Sequence, residues 1–207
     1  TSNEKLSASL QNVLVEAKKF NPDFFKTNKG FEIETKLEYP QQWGLGSSST
    51  LIDLMSQWIN IAPLELNQLT FKTSGYDIAC AHHNQPILFT NHPKIEVEEL
   101  NLNWTFEDQL FFVYLNQKQD TQAVVGNHYK NKPKDRDLIN DLSQLVIDAT
   151  TVDNLSDLEA ILDEYQNRLG AFMQIPQPKD TYFQDYEGTV KSLGAWGGDF
   201  VLVTYRE

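Results

Sequence analysis

The chain has 207 residues, of which 40% are hydrophobic and 12% aromatic, so it contains enough apolar material for a folded core and is not a disordered or fibrous protein. Its formal net charge of -12 argues against general nucleic-acid binding and against a basic membrane-surface role, because both need a surplus of cations. The single cysteine, Cys80, excludes an internal disulfide and argues against a thiolate zinc site.

No apolar run reaches the roughly 20 residues that span a bilayer, and residues 1–10 lack the apolar stretch of a signal peptide. We therefore expect a cytoplasmic globular protein that binds neither nucleic acid nor membranes. Residues 1–94 contain 8 basic and 9 acidic residues, whereas residues 95–207 contain 9 and 20. The first part is thus the more permissive place for an anionic ligand, although a solvated acidic face on the second part explains the same asymmetry. The change near residues 93–99 indicates a soft domain boundary.

Patterning predicts the elements of the first part in chain order. Apolar residues at helical spacing predict a helix over residues 3–20. Alternation of apolar and charged residues predicts a half-buried strand over residues 31–39. A loop over residues 40–49 then leads into a second helix, marked by apolar residues between 51 and 58. A further strand is predicted over residues 86–90.

In the second part, patterning predicts a strand over residues 108–115. It then predicts two amphipathic helices, over residues 138–149 and 158–172. A closing hairpin is predicted from residues 189–193 and 200–205. Ser156 and Glu159 have the three-residue spacing of a capping box for the second of these helices. Helices and strands alternate without a clear βαβ repeat. We therefore expect the α+β class.

A glycine- and serine-rich loop, residues 40–50, precedes the second helix. Gly44 and Gly46 permit positive φ and close approach of the backbone to a ligand, and three serines and a threonine follow them. A helix start of this kind is suited to an anion such as phosphate. A well-capped helix after a turn explains the same residues. The loop is not a Walker A motif, because no Gly-Lys-Ser/Thr follows.

Three segments, in the same order along the chain, resemble the motifs of the GHMP kinase superfamily, which includes galactokinase and the homoserine, mevalonate and phosphomevalonate kinases. They are the loop Pro40–Thr50, the segment Ser74–Ala79, which looks like the family's catalytic-aspartate motif, and Lys191–Phe200, which is similar to its C-terminal glycine motif. The second segment is closest to the form of this motif in phosphomevalonate kinases. Its pentapeptide Gly-Tyr-Asp-Ile-Ala resembles that of a bacterial subgroup of the superfamily.

The resemblance implies an ATP- and Mg²⁺-dependent kinase for a small-molecule acceptor, most specifically mevalonate or phosphomevalonate. It implies that residues 1–94 are the latter part of an N-terminal, ATP-binding domain similar to ribosomal protein S5 domain 2. Residues 95–207 would form a ferredoxin-like C-terminal domain. A sugar kinase of the same superfamily and a non-catalytic binding or scaffold protein with the same fold are the alternatives.

By the same resemblance, Asp77 is the catalytic residue, acting either as a base or by orienting the acceptor hydroxyl. A local cap in a turn is the alternative for this aspartate. Mg²⁺ would be held by Ser48 and Glu65, although a solvated glutamate explains Glu65 equally well. The implied nucleotide-binding residues are Gly44, Leu45, Gly46, Ser47, Ser48, Ser49, Ser74, Gly75, Gly194, Ala195 and Gly197.

The chain departs from the family pattern in two ways. Trp196 and Asp199 stand where the third motif usually has a run of glycines, which puts the nucleotide contact of this turn in doubt; a plain hairpin turn is the alternative. No counterpart of the family's first motif precedes Pro40. We therefore expect either a fragment or a fold that a second polypeptide completes, with a homodimer or a complementing N-terminal fragment as the possible partners.

Cys80 and the adjacent His82 and His83 are a weaker set of candidates. A cysteine nucleophile with a histidine base would require these side chains to converge, and Cys80 more often packs as a small apolar group. No further ligands lie at metal spacing from the two histidines. We therefore expect them to be exposed or to lie in a loop.

Overall fold

The computed structural model describes residues 4–26, 30–117, 132–194, 196 and 199–206, except for the side chains of residues 5 and 6. These residues form helices and small antiparallel sheets, which confirms a mixed α and β protein. None of the helices within the described ranges is long and apolar enough to cross a membrane.

The chain divides into two compact units. Unit 1 contains residues 1–41 and 45–101, and unit 2 contains residues 42–44 and 102–207. The chain therefore enters unit 2 for three residues within the glycine-serine loop and then returns to unit 1. The assignment of residues 1–94 and 95–207 to two family domains stays a prediction.

In unit 1 the described residues form four α-helices followed by a β-hairpin: α1 (Glu4–Phe20), α2 (Ser47–Ile59), α3 (Pro63–Leu69), α4 (Tyr76–His82), β1 (Ile87–Thr90) and β2 (Glu96–Glu99). This confirms the predicted helix over 3–20, the helix after the loop and the strand over 86–90. The buried core joins all four helices through Val13, Ala17, Ile52, Met55, Ile59, Ile61, Leu66 and Ile78. Patterning missed α3 and α4, because seven residues are too few to show a helical period.

The predicted strand over residues 31–39 is wrong. Residues 30–38 pair with no strand of the described chain, and all of them are exposed, including the apolar Phe31, Ile33 and Leu37. The alternation is real, but a strand also needs a neighbour to accept and donate its backbone hydrogen bonds. In unit 1 the only ladder joins β1 to β2, with Ile87 opposite Glu99, among the residues described.

The described residues of unit 2 form a three-stranded antiparallel sheet and three α-helices: β3 (Leu110–Tyr114), α5 (Arg136–Ala149), α6 (Leu155–Met173), α7 (Pro178–Tyr182), β4 (Val190–Ser192) and β5 (Phe200–Thr204). The strand order is β3-β5-β4. The buried Gln166 of α6 bridges the edge strand β4, donating to the Val190 carbonyl at 2.5 Å and accepting from the Ser192 N–H at 2.9 Å. The predicted strand over 108–115, both helices and the closing hairpin are confirmed.

The predicted capping box at the start of α6 is wrong. Asn154 caps this helix instead: its side-chain oxygen accepts from the Asp157 N–H at 3.0 Å, and its amide donates to the Asp157 carboxylate at 2.8 Å. Ser156 and Glu159 lie within the helix and both accept hydrogen bonds from Arg206. Arg206, which follows β5, thus binds the two residues that the local pattern assigned to a cap.

Candidate functional site

Gly46 is the N-cap residue that immediately precedes α2. Its φ of 76° and ψ of 40° are left-handed, a conformation that costs a residue with a Cβ about 1–2 kcal/mol. A Cβ here would also lie 2.8 Å from the Ser49 hydroxyl oxygen. The positive φ that the sequence permits at this residue is therefore adopted. The backbone conformation and the nearby Ser49 oxygen explain why a glycine is needed here, without reference to a ligand.

The hydroxyls that follow Gly46 point back to its carbonyl. Ser49 Oγ donates to the Gly46 carbonyl at 3.0 Å, and Thr50 Oγ1 donates to the same oxygen at 2.7 Å. No side chain of the described residues caps the start of α2, so the N–H groups of its first turn are left to solvent or to a ligand. Ser48 is exposed and Ser47 is half-buried at this end. The helix start therefore presents backbone donors together with a solvent-facing hydroxyl.

Tyr39 holds the loop against the helix start. Its hydroxyl hydrogen is shared between the Leu45 carbonyl at 3.1 Å and Thr50 Oγ1 at 3.2 Å, because the Thr50 hydroxyl itself donates to the Gly46 carbonyl. The Leu45 side chain is exposed. Sequence patterning placed Tyr39 in a strand and missed this role, because the contact depends on how the loop folds back.

Gly44 belongs to unit 2, where its neighbour Trp43 packs against Tyr114 and Phe200 at centroid distances of 5.8 and 5.9 Å. Gly44 has a φ of 71°, and a Cβ on it would collide with the carboxylate of Asp199. The absence of a side chain at residue 44 therefore leaves room for that carboxylate. Neither the motif nor the spacing indicated that an acidic group would approach this glycine.

Within the third motif, residues 191–194, 196, 199 and 200 are described, whereas Ala195 and Gly197 lie outside the described residues. Gly194 is exposed, with a φ of 60°, and no atom lies within 4 Å of where its Cβ would be. Trp196 is buried, and its indole donates to the Pro176 carbonyl at 3.3 Å. The bulky residue that departs from the family pattern is thus a core anchor of unit 2.

Gly75 immediately precedes α4 and has little room for a side chain. It is buried, its φ is 87°, and a Cβ would lie 2.7 Å from the Leu64 Cδ2 atom of α3. The loop before it is held by the buried Asn67, whose amide donates to the Thr73 carbonyl at 3.1 Å and whose side-chain oxygen accepts from the Thr73 hydroxyl at 2.9 Å. Asn67 positions the aspartate motif, and no sequence motif pointed to it. The exposed Ser74 accepts from the Tyr76 N–H at 3.4 Å.

Asp77 lies in the first turn of α4 with its side chain exposed. The surrounding protein removes part of its hydration, and this partial burial raises the pKa of the Asp77 carboxyl. Burial also raises the pKa of the Cys80 thiol, one turn later. The negative charge of Asp77 raises this pKa further, whereas a hydrogen bond with the Tyr76 side chain lowers it. A raised thiol pKa does not favour Cys80 as a nucleophile.

Glu65 is exposed in the first turn of α3. Because Gly75 contacts Leu64, the start of α4 lies against the turn that carries Glu65. No hydrogen bond or ion pair within the described residues joins Asp77 to Glu65 or to the loop 44–50. No group of three or more His, Cys, Asp or Glu side chains in the described ranges is arranged to hold a metal ion.

Comparison of the chain with protein-family models, with curated proteins and with solved structures found no match. The interpretation of the site therefore depends on the residues and their geometry.

The two glycines Gly75 and Gly194 provide a matched pair for stability. We expect Gly75→Ala to lower the free energy of unfolding by more than about 2 kcal/mol, because the added methyl group meets Leu64 in addition to the left-handed penalty. Gly194→Ala should cost only that penalty, about 1–2 kcal/mol, since the space around it is open. Urea unfolding followed by circular dichroism measures both, and equal losses would contradict the prediction.

Asp77→Asn should raise the melting temperature near pH 7. A folded-state pKa above the ordinary value of 3.8 means that the native chain binds this proton more tightly than the unfolded chain does, so the carboxylate destabilises the fold as the pH rises through that range. The gain should shrink as the pH falls towards 3.8. Thermal unfolding of the parent and the variant between pH 3.8 and pH 7 tests this prediction. The control is Asp137→Asn, which changes another exposed first-turn aspartate. A lower melting temperature near pH 7 would contradict the prediction.

Proposed function

We propose that this chain is an ATP- and Mg²⁺-dependent small-molecule kinase of the GHMP type. It would transfer the γ-phosphoryl group to a hydroxyl or phosphate group of its acceptor, for which mevalonate and phosphomevalonate are the first candidates. The proposal rests on the order of the three motif-like segments and on the chemistry that two of them offer in unit 1. The finer fold, an S5-like part followed by a ferredoxin-like domain, is part of the same proposal.

The observation that carries the proposal is the start of α2. A left-handed glycine, uncapped first-turn N–H groups and the exposed Ser48 hydroxyl stand together there. The partial positive charge of a helix N-terminus favours an anion, and a phosphate group can accept several of these N–H bonds at once. Residues 1–94 carry a net charge close to zero, so this part of the chain is more permissive for a triphosphate than the acidic residues 95–207.

The oxygen donors suit Mg²⁺. Ser48 and Glu65 are both exposed and offer a hydroxyl and a carboxylate, the hard ligands that this ion takes. Mg²⁺ commonly keeps several waters and binds substrate phosphates together with one or two protein ligands, so a cluster of three acidic or histidine side chains is not required. When bound, the ion would neutralise charge on the transferred phosphoryl group.

Asp77 supplies the remaining requirement, a group that acts on the acceptor. Its exposure lets a substrate hydroxyl reach it, and the raised pKa makes its carboxylate a better proton acceptor than an ordinary aspartate. Proton removal and orientation of the hydroxyl are both compatible with this position. Leu64 and Asn67 fix the preceding glycine and thereby the direction in which α4 starts.

A non-catalytic binding or scaffold protein with the same fold is the alternative from another class. It would retain the uncapped helix start and would bind a nucleotide without turnover. A sugar kinase would share the phosphate site and differ in its acceptor. The two experiments that follow separate these alternatives.

Nucleotide binding is measured first, by calorimetric titration of the full chain with a non-hydrolysable ATP analogue and Mg²⁺. We expect saturable binding that Ser48→Ala weakens about tenfold or more, because a contact to a charged group is lost. Ser143→Ala, which changes an exposed serine of α5, should bind as the parent does. Absence of binding by the parent chain would overturn the proposal that this chain by itself is a kinase.

Turnover is measured next, with ATP and with mevalonate, phosphomevalonate and galactose as acceptors. We expect Asp77→Asn to lower kcat by about 10²–10⁴-fold, the usual contribution of a general base, while nucleotide binding is retained. Asp137→Asn is the matched control, because it removes another first-turn aspartate. Binding without turnover of any acceptor favours the scaffold alternative, and turnover of galactose alone favours the sugar kinase.

A further inference from the structure

Two adjacent histidines at the end of α4 are each held by a carboxylate from another element. His82 Nδ1 lies 2.7 Å from Asp53 Oδ1 of α2, and His83 Nδ1 lies 2.7 Å from Glu99 Oε1 of β2. The expectation that these residues are simply exposed or in a loop omitted these partners. Each ring therefore has a carboxylate partner on a different element.

The partners determine which ring nitrogen carries the hydrogen. An ionised carboxylate only accepts hydrogen bonds, so Nδ1 is the protonated nitrogen of each ring. In a neutral imidazole this leaves Nε2 of both His82 and His83 with a lone pair. A carboxylate that holds one ring nitrogen while the other binds a metal is the usual arrangement around metal-ligating histidines.

Asp53 is a rigid anchor for this arrangement. It is 4% exposed, and its second carboxylate oxygen accepts from the Gln57 amide at 2.7 Å. A buried carboxylate with both oxygens bound has little freedom to move away from His82. The His82 side chain is nevertheless 41% exposed, and that of His83 is 25% exposed, so a dissolved ion can reach both rings.

The spacing of the rings suits a shared ion. Their centroids are 5.4 Å apart with an interplanar angle of 87°. Two imidazoles bound to one tetrahedral Zn²⁺ at about 2.0–2.1 Å have centroids about 5 Å apart. The separation of the ring centroids is therefore compatible with one shared ion.

We propose that His82 and His83 form a two-histidine site, through their Nε2 atoms, for a divalent transition-metal ion of the zinc class. Imidazole ligands suit Zn²⁺, Ni²⁺ and Cu²⁺ and do not suit Mg²⁺, so this site is separate from the oxygen donors of the proposed kinase. The described residues contain no cluster of three or more ligating side chains, and water completes the coordination. The ion is therefore exchangeable and is not required for folding.

Titration of the full chain, without a polyhistidine tag, with Zn²⁺ tests the proposal. We expect one saturable site in the parent protein and its loss in His82→Gln and in His83→Gln. His92→Gln, at an exposed histidine of the β1–β2 connection, should bind Zn²⁺ as the parent does. Circular dichroism confirms that each variant is folded. Unchanged binding in either of the first two variants, or no binding by the parent, would overturn the site.

A variant that leaves both ligands intact tests the role of the carboxylates. Glu99→Ala should weaken Zn²⁺ binding about 10–100-fold, because the partner that fixes His83 is lost. Glu98→Ala, the preceding exposed residue of β2, is the matched control and should bind normally. Long-range ¹H–¹⁵N spectra should show Nδ1–H imidazoles in the metal-free parent and a Zn²⁺-induced shift at Nε2. Nε2–H tautomers in both rings, or equal effects of the two glutamate variants, would contradict the proposal.

Discussion

Left-handed backbone at two glycines determines where α2 and α4 begin and therefore which side chains stand in their first turns. Gly46 and Gly75 each occupy a conformation that a Cβ disfavours, and each has a close neighbour where that Cβ would be. The apolar Ile52 and Ile78 of the same helices enter the core of unit 1. Burial of one face thus holds each helix in the core. The glycines set the point at which each helix begins, so the uncapped N–H groups of α2 and the Asp77 side chain of α4 are accessible to solvent.

Four acidic residues of unit 1 have two different roles. Asp53 and Glu99 are bound to histidines and fix the orientation of imidazole rings. Asp77 and Glu65 stand exposed in first turns and have no ion pair with a described residue. One short helix, α4, consequently carries two distinct chemistries, with a carboxylate of raised pKa at its start and a carboxylate-bound histidine at its end.

Sequence periodicity predicted the long elements well and the short or non-local ones poorly. The helices of 13 residues or more were all recovered, because several turns repeat the same apolar face. The seven-residue α3 and α4 were missed, although they carry Glu65 and Asp77. The strand over residues 31–39 failed for another reason: alternation describes one strand, whereas a sheet requires two. Motif resemblance placed the candidate site residues, and their proposed roles stay predictions.

By itself, the sequence determined which long segments are helical and that positive φ is permitted at Gly44 and Gly46, because helical period and Cβ sterics are local properties of the chain. Only the tertiary structure decided that Asn67 holds the aspartate motif and that His82 meets Asp53. The two residues of the latter pair are 29 positions apart. Their contact exists because α2 and α4 pack against one core, and no local pattern encodes which polar side chains such packing brings together.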